Sequence, residues 1–163
     1  MMQKKITLEY EYFTDINCLP ATLQQLVKAA RNNTLQAYAP YSHFKVGAAV
    51  LLDNGIIING NNQENASYPQ GMCAERVAMF QASALYPDNA MIAIAICGNP
   101  EGFALTHPLS PCGGCRQVML EYEKKSGQNM KVILCTMQDE YIVFDNAGML
   151  LPFNFSKDDL LTK

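Results

Sequence analysis

The sequence predicts an α/β fold in which helices pack on both faces of a mixed central sheet, forming a three-layer α/β/α sandwich. Short β-rich runs alternate with segments of helical periodicity along the chain. An Asn-Gly turn joins two of the runs, which is typical of an antiparallel hairpin. A strand–helix–strand order in the C-terminal half implies a parallel crossover. A sheet that contains both kinds of pairing is mixed.

The N-terminal half contains a predicted helix and a predicted hairpin. The helix spans residues 21–37, where Pro40 prevents continuation and four apolar residues recur at helical spacing: Leu23, Leu26, Val27 and Ala30. The β-rich runs 45–52 and 56–59 flank Asn54-Gly55, a pair that supplies the positive φ angles of a tight turn. We therefore expect these two runs to pair.

The C-terminal half alternates helices with strands. Residues 74–86 favour a helix that Pro87 ends, and the apolar run 90–97 is interpreted as a buried central strand. A helix at residues 112–125 then leads to a strand at 131–136, which gives the parallel crossover. The remaining expected elements are a strand at 141–144 and a short helical tail at 148–159.

Length and composition fit one globular domain. The chain has 163 residues, of which 49% are hydrophobic and 17% charged, so one domain covers residues 1–163 with an N-terminal extension at 1–19. The net charge of −3 and the lack of a basic cluster disfavour a nucleic-acid partner. The longest apolar run, 90–97, is far shorter than the ~20 residues of a membrane span. With no secretory signal visible, we expect a cytoplasmic protein without a membrane partner.

Six cysteines occur in the chain, and their contexts separate them. Without a visible export signal, reduced thiols are expected rather than disulfides. Cys97 and Cys135 end apolar runs and are interpreted as buried strand residues, whereas Cys18 lies in a loop before Pro20. The other three lie at predicted helix starts beside glycine, proline or charged residues: Cys73, Cys112 and Cys115.

These three cysteines suggest a catalytic metal site. Cys112 and Cys115 form a CxxC motif at a helix start, which by itself fits a redox dithiol as well as a metal. A structural zinc module normally has a second pair of cysteines or histidines, and the sequence contains no such pair. Cys73 offers a third ligand, and three protein ligands plus a water are typical of catalytic zinc. Glu75, in the first turn of the same helix, is placed to move a proton from that water to the attacked group.

The combined pattern is that of zinc deaminases, in which a glutamate that is not a ligand follows the first ligand. The sequence resembles the small cytidine deaminase family from about residue 23 to residue 160. The resemblance rests on five motifs in order: Tyr38–Ala49, Asn62–Tyr68, Cys73–Arg76, Ser110–Gln117 and Leu150–Phe155.

The resemblance implies an activity and a cofactor. It implies a cytidine deaminase-like fold and hydrolytic deamination of cytidine and deoxycytidine to the uridine forms, with release of ammonia, in pyrimidine salvage. One Zn²⁺ per subunit would be held by Cys73, Cys112 and Cys115, with Glu75 as the catalytic acid and base.

The resemblance also implies a nucleoside site. Asn62 and Glu64 would hold the ribose 3′-hydroxyl, Phe44 would pack on the pyrimidine, and the Ala74 N–H would face the ring carbonyl. Ser110 is included among the substrate-binding residues. Family members are typically homotetramers with shared active sites, so a neighbouring subunit would contribute three further residues: Ala66, Tyr68 and Phe155.

Two arginines follow the metal motifs directly. Three thiolates leave a zinc site with net negative charge, so we expect Arg76 and Arg116 to donate to the sulfurs and withdraw charge from them. The alternative is that both form ordinary ion pairs on a helix face. Three departures from the family pattern are Gln63, where an apolar residue is usual, the long loop between Cys97 and Ser110, and an N-terminal extension larger than in many members.

Other functions remain open on the sequence alone. A deaminase of a nucleoside antibiotic or another cytosine derivative would share the zinc motifs. A thiol-disulfide oxidoreductase using Cys112 and Cys115 would leave Cys73 and Glu75 without a role. A zinc-dependent binding module without activity is a third alternative. A polynucleotide editor is disfavoured because no basic stripe or row of stacking aromatics is present.

Overall fold

The computed structural model describes residues 1–160, and no helix in that range is long and apolar enough to cross a membrane. The strands are β1 (Glu11–Phe13), β2 (Phe44–Leu52), β3 (Ile57–Asn61), β4 (Met91–Pro100), β5 (Lys131–Cys135) and β6 (Tyr141–Phe144). The α-helices are α1 (Ala21–Thr34), α2 (Ala74–Leu85), α3 (Gly113–Ser126) and α4 (Lys157–Leu160).

The strands form one mixed sheet in the order β1-β6-β5-β4-β2-β3. β4 and β5 are parallel and are connected through α3, which confirms the predicted crossover, while the other neighbouring pairs are antiparallel. β2 and β3 form the predicted hairpin. Its turn has a positive φ of 85° at Gly55 but not at Asn54. The Asn54 side chain instead accepts a hydrogen bond from the Ile56 N–H at 3.0 Å.

Helices cover both faces of the sheet, which confirms the three-layer prediction. Successive side chains along a strand point to opposite faces, so one strand contributes to two cores. The core under α1 includes the strand residues Ala49, Leu51, Ala93 and Ala95. The core under α2 and α3 includes their sequence neighbours Ala48, Val50, Ile94 and Ile96.

Part of the predicted N-terminal extension belongs to the sheet. β1 pairs antiparallel with β6 and places Glu11 opposite Val143. Leu19 is buried and packs with the core under α1. A three-residue edge strand gives little local signal, because its pairing partner lies near the other end of the chain. The sequence pattern therefore does not predict β1.

Several element ends differ from the prediction, those of α1 and β4 most clearly. α1 ends at Thr34, where the chain tightens into i→i+3 hydrogen bonds, and β4 continues beyond the predicted end to Pro100. The predicted helical tail at 148–159 is wrong as one element. It consists of a 3₁₀ turn at Ala147–Leu150 and the separate α4, because Pro152 interrupts a continuous helix.

Two of the cysteines lie in the sheet interior, as predicted. Cys97 and Cys135 are both fully buried and are register partners on the parallel strands β4 and β5. Free cysteine commonly occupies such positions as a small apolar residue. Their packing accounts for them without a catalytic role.

The start of α2 lies directly on β3 because residue 60 is glycine. A Cβ atom at Gly60 would lie 2.5 Å from the Ala74 carbonyl oxygen and 2.5 Å from the Ala78 amide nitrogen. Both atoms belong to helix backbone and cannot move alone. Gly60 therefore sets how closely the first turn of α2, with Glu75, approaches the sheet.

We predict that Gly60→Ala lowers the free energy of unfolding by roughly 1–3 kcal/mol, as overpacking of a tight contact does. The matched control is Gly113→Ala, since a Cβ there meets nothing within 4 Å and the position is exposed. The control should stay within about 0.5 kcal/mol of the native protein. Urea denaturation measures both, and equal midpoints for the two variants would contradict the packing account.

Candidate active site

Three cysteine sulfurs converge where α2 and α3 begin. Cys73 immediately precedes α2, Cys112 immediately precedes α3, and Cys115 lies in the first turn of α3. The Sγ atoms of Cys73 and Cys112 are 4.0 Å apart, those of Cys112 and Cys115 are 3.5 Å apart, and all three lie within 4.8 Å of one another. Tetrahedral zinc with Zn–S bonds of about 2.3 Å requires sulfurs about 3.8 Å apart. The cluster therefore fits a zinc ion.

The cluster favours negative charge on sulfur. Two helix N-termini direct their dipoles toward it, which stabilises thiolates. The neighbouring Cys115 thiol lowers the pKa of Cys73 to about 5, and Arg76 adds to this effect. The neighbouring Cys73 sulfur and burial raise the pKa of Cys115. Metal ligation by all three thiolates therefore requires release of the Cys115 proton.

Glu75 is a buried carboxyl group beside the cluster. It lies in the first turn of α2, two residues after Cys73, and is only 5% exposed. Burial raises the pKa of Glu75, and the charge of Cys73 contributes in the same direction. A carboxyl group with a raised pKa exchanges protons more readily near neutral pH than an exposed one. Its position and environment suit a general acid and base.

The two arginines have different contacts. Arg76 donates from Nη2 to the Cys73 sulfur at 3.5 Å, as expected, and this contact raises its pKa. Arg116 instead donates from Nε to the Pro111 carbonyl at 2.9 Å and from Nη1 to the Leu150 carbonyl at 3.1 Å. Within residues 1–160, the expectation that Arg116 donates to a sulfur is not met. Arg116 holds the residue before Cys112 and ties α3 to the C-terminal segment.

A cleft of about 350 Å³ opens beside the cluster. Besides Cys73, Cys112 and Glu75, it is lined by six of the predicted substrate residues: Phe44, Asn62, Glu64, Tyr68, Ala74 and Ser110. A volume above 300 Å³ is typical of small-molecule sites. The structure therefore brings together residues from four separate sequence motifs.

The cleft also contains apolar residues that were not predicted from the sequence. Val46 and Leu109 line it together with Phe44. Val46 is two residues from Phe44 on β2, so strand alternation directs both side chains to one face. That periodicity would have identified Val46, and Leu109 directly precedes the predicted Ser110.

Asn62 and Glu64 are fixed by backbone groups. Asn62 accepts from the Val46 N–H at 2.8 Å and donates to the Phe44 carbonyl at 2.9 Å. Glu64 accepts from the N–H groups of Tyr41 at 2.9 Å and Ser42 at 3.2 Å, and hydrogen bonding from Ser42 lowers its pKa. An amide and a carboxylate each retain further hydrogen-bonding capacity after these contacts. Both side chains are oriented before any ligand binds.

The residues assigned to a neighbouring subunit lie on the surface. Tyr68 is 77% exposed at the rim of the cleft, and Phe155 is 59% exposed. Ala66 is also exposed. Within residues 1–160, Ala66 and Phe155 are not among the residues that line this cleft.

Comparisons with known proteins agree on one family. Residues 20–129 match the family model described as the cytidine and deoxycytidylate deaminase zinc-binding region. A cytidine deaminase of Sporosarcina psychrophila is 39% identical over 138 residues, covering 85% of this chain and 94% of that protein. One of Halalkalibacterium halodurans is 40% identical over 139 residues, with coverages of 84% and 96%.

A solved structure gives the same result. The cytidine deaminase from Burkholderia pseudomallei superposes with a TM-score of 0.69 at 42% identity, covering 80% of this chain and 97% of that chain. The fold is therefore cytidine deaminase-like, as predicted. The match of the family model and the identity to these relatives show that the chain belongs to the zinc-binding cytidine and deoxycytidylate deaminase family.

Proposed function

We propose that this protein catalyses the zinc-dependent hydrolytic deamination of cytidine and deoxycytidine to uridine and deoxyuridine, with release of ammonia. The observation that supports this most directly is the position of Glu75. It is a buried carboxyl group that lines the same cleft as two of the three clustered cysteines. Cys73, Cys112 and Cys115 would hold the zinc ion.

Zinc bound there would supply a Lewis acid that activates water as a nucleophile at neutral pH. Glu75 takes a proton from that water and delivers it to ring N3 as the C4–O bond forms. It then takes the remaining proton from the new C4 hydroxyl and transfers it to the amino group, so that the C4 carbonyl forms, the C4–N bond breaks and ammonia leaves. In the net reaction, water replaces the amino group at C4, which gives the ring carbonyl of uridine and one molecule of ammonia.

The backbone of α2 orients the pyrimidine in this proposal. Ala74 is the first residue of the helix, and the first N–H groups of a helix have no acceptor within it. The Ala74 N–H is therefore available to the ring carbonyl, while Phe44 packs on the ring face. In the proposed pose, C4 would face the cysteine cluster and N3 would face Glu75.

The ribose would lie against Asn62 and Glu64. A sugar hydroxyl is both a donor and an acceptor, and an amide beside a carboxylate satisfies both functions. Because backbone hydrogen bonds fix both side chains, they cannot turn away when the hydroxyl is absent. Such a site rejects analogues that lack the hydroxyl.

We propose further that the protein is a homotetramer whose active sites are shared between subunits. The exposure of Tyr68 at the cleft rim and of Phe155 supports this, because each leaves a large aromatic side chain uncovered. Within the proposal the protein acts on free nucleosides in the cytoplasm, in pyrimidine salvage.

For Glu75→Gln, we predict normal zinc content and a loss of at least ~10²-fold in kcat, the usual lower range of a general acid–base contribution. The amide has the shape of the carboxyl group but cannot exchange the proton. The decrease in ultraviolet absorbance as cytidine is consumed measures the rate, and metal analysis measures the zinc. Glu121→Gln, on the exposed surface of α3, is the matched control and should behave as the native protein.

A Glu75→Gln variant that binds zinc and retains nearly native kcat would contradict the proposed mechanism. A variant that loses zinc would be compared at saturating zinc, so that proton transfer is measured separately from metal binding.

For Glu64→Ala, we predict that the preference for cytidine over 3′-deoxycytidine falls by at least about tenfold in kcat/KM, because the proposed contact with the 3′-hydroxyl is lost. The informative quantity is the ratio of kcat/KM for cytidine to kcat/KM for 3′-deoxycytidine. Loss of the Glu64 hydrogen bonds to residues 41–42 also loosens that segment, but this affects both substrates alike. An unchanged ratio would refute the assignment of Glu64 to the ribose.

A further inference from the structure

We propose that Glu101 and Phe103, on the loop after β4, are positioning residues that hold Phe44 in the cleft. This inference rests on the proposed contact between Phe44 and the pyrimidine. It gives a function to the long segment between Cys97 and Ser110, which the active-site chemistry does not use.

Phe44 follows a strained residue. His43 has a φ of 55°, and it is the one residue other than glycine with positive φ among residues 1–160. A side chain with a Cβ is disfavoured in this conformation, so the surroundings must hold it. The His43 N–H donates to the Ala39 carbonyl at 3.1 Å, and the His43 carbonyl accepts from the Glu101 N–H at 2.9 Å.

The Glu101 carboxylate joins the two residues that flank Phe44. Its Oε1 lies 2.7 Å from Lys45 Nζ, and its Oε2 lies 3.2 Å from His43 Nδ1. Strand alternation directs Lys45 away from the face on which Phe44 lines the cleft. Glu101 follows Pro100, the register partner of Phe44 on β4. The contact therefore fixes the backbone around Phe44 from the side opposite the cleft.

Phe103 supports the Phe44 ring itself. The two ring centroids are 6.4 Å apart and the planes are tilted by 53°, within the range of favourable aromatic pairs. Phe103 is 61% exposed, so its packing on Phe44 is not part of the buried core.

The loop after β4 packs closely against that strand. A Cβ at Gly98 would lie 2.7 Å from Leu105 Cδ1 and 3.1 Å from Leu109 Cδ2, so the loop folds back tightly onto the strand. Leu109 lines the cleft. The segment from residue 101 to 109 therefore contacts the Phe44 segment at one end and forms cleft wall at the other.

These contacts predict an effect on substrate binding rather than on global stability. Exposed ion pairs and exposed aromatic contacts contribute little to unfolding free energies. Because His43 is strained, however, the contacts of Glu101 and Phe103 are needed to keep the Phe44 ring in position. Loss of the contacts should raise KM and leave kcat and the thermal midpoint nearly unchanged.

The first test measures cytidine deamination by Glu101→Ala and Phe103→Ala, both loaded with zinc. Each should raise KM by about three- to tenfold, the effect of one hydrogen bond or modest contact, with kcat within about twofold. Phe103→Tyr retains the ring and should recover a native KM. The matched control is Asp145→Ala, which removes the exposed ion pair with Lys131 and should change neither constant.

The second test is a double-mutant cycle with Phe44→Leu, which keeps an apolar side chain but removes the ring. If Glu101 acts through Phe44, Glu101→Ala changes KM by less than about twofold in the Phe44→Leu protein. The same KM increase in both backgrounds would overturn the positioning role and leave the Phe44 contact intact. No KM increase from Glu101→Ala in the native protein would also overturn it.

A native KM for Phe44→Leu would refute the contact between Phe44 and the pyrimidine, and with it this inference. Uridine affinity, measured by calorimetry, checks that KM reports binding. If Glu101→Ala lowers the thermal midpoint strongly, the isosteric variant Glu101→Gln is tested in its place. Glu101→Gln should have native stability and a smaller increase in KM than Glu101→Ala.

Discussion

Two helices begin close together in this fold, and the three cysteines at their N-termini lie near enough to share one cation. This depends on backbone packing as much as on the cysteines. α2 approaches β3 closely because Gly60 has no side chain. α3 begins after the loop that follows β4. The result is three sulfurs within 4.8 Å of one another. Glu75, Arg76 and the cleft all lie beside that cluster.

Charge explains several of the surrounding contacts. Three thiolates with a divalent cation leave a net negative charge, which weakens the cation as a Lewis acid. Helix N-termini and the Arg76 contact to Cys73 offset part of that charge. Burial raises the pKa of Glu75, and the charge of Cys73 contributes in the same direction. The cluster that would activate water thus also adjusts the group that would move its proton.

Much of the fold and site could be predicted because the signals were local. The helix starts at Cys73 and Cys112, the hairpin at Gly55 and the crossover around α3 each depend on a few neighbouring residues. β1 could not be predicted, because it pairs with β6 and packs on the core under α1, and most of these contacts are with residues distant in the sequence.

The directions of individual side chains could not be predicted from the sequence either. Arg76 and Arg116 hold equivalent places after their motifs, yet only Arg76 donates to a sulfur. Arg116 turns to the Leu150 carbonyl, which the C-terminal segment brings beside α3 from outside the motif. The strain at His43 and its contact with Glu101 likewise depend on the register of β2 with β4.

X-ray absorption at the zinc edge of the purified, zinc-loaded protein measures which atoms bind the metal. The account predicts one zinc per chain with three sulfur ligands at about 2.3 Å and one oxygen ligand at about 2.0 Å, the open position of a catalytic site. The Cys73→Ser variant should lose one sulfur from that shell or fail to retain zinc. Four sulfur ligands, or a native sulfur count in the Cys73→Ser variant, would contradict the account.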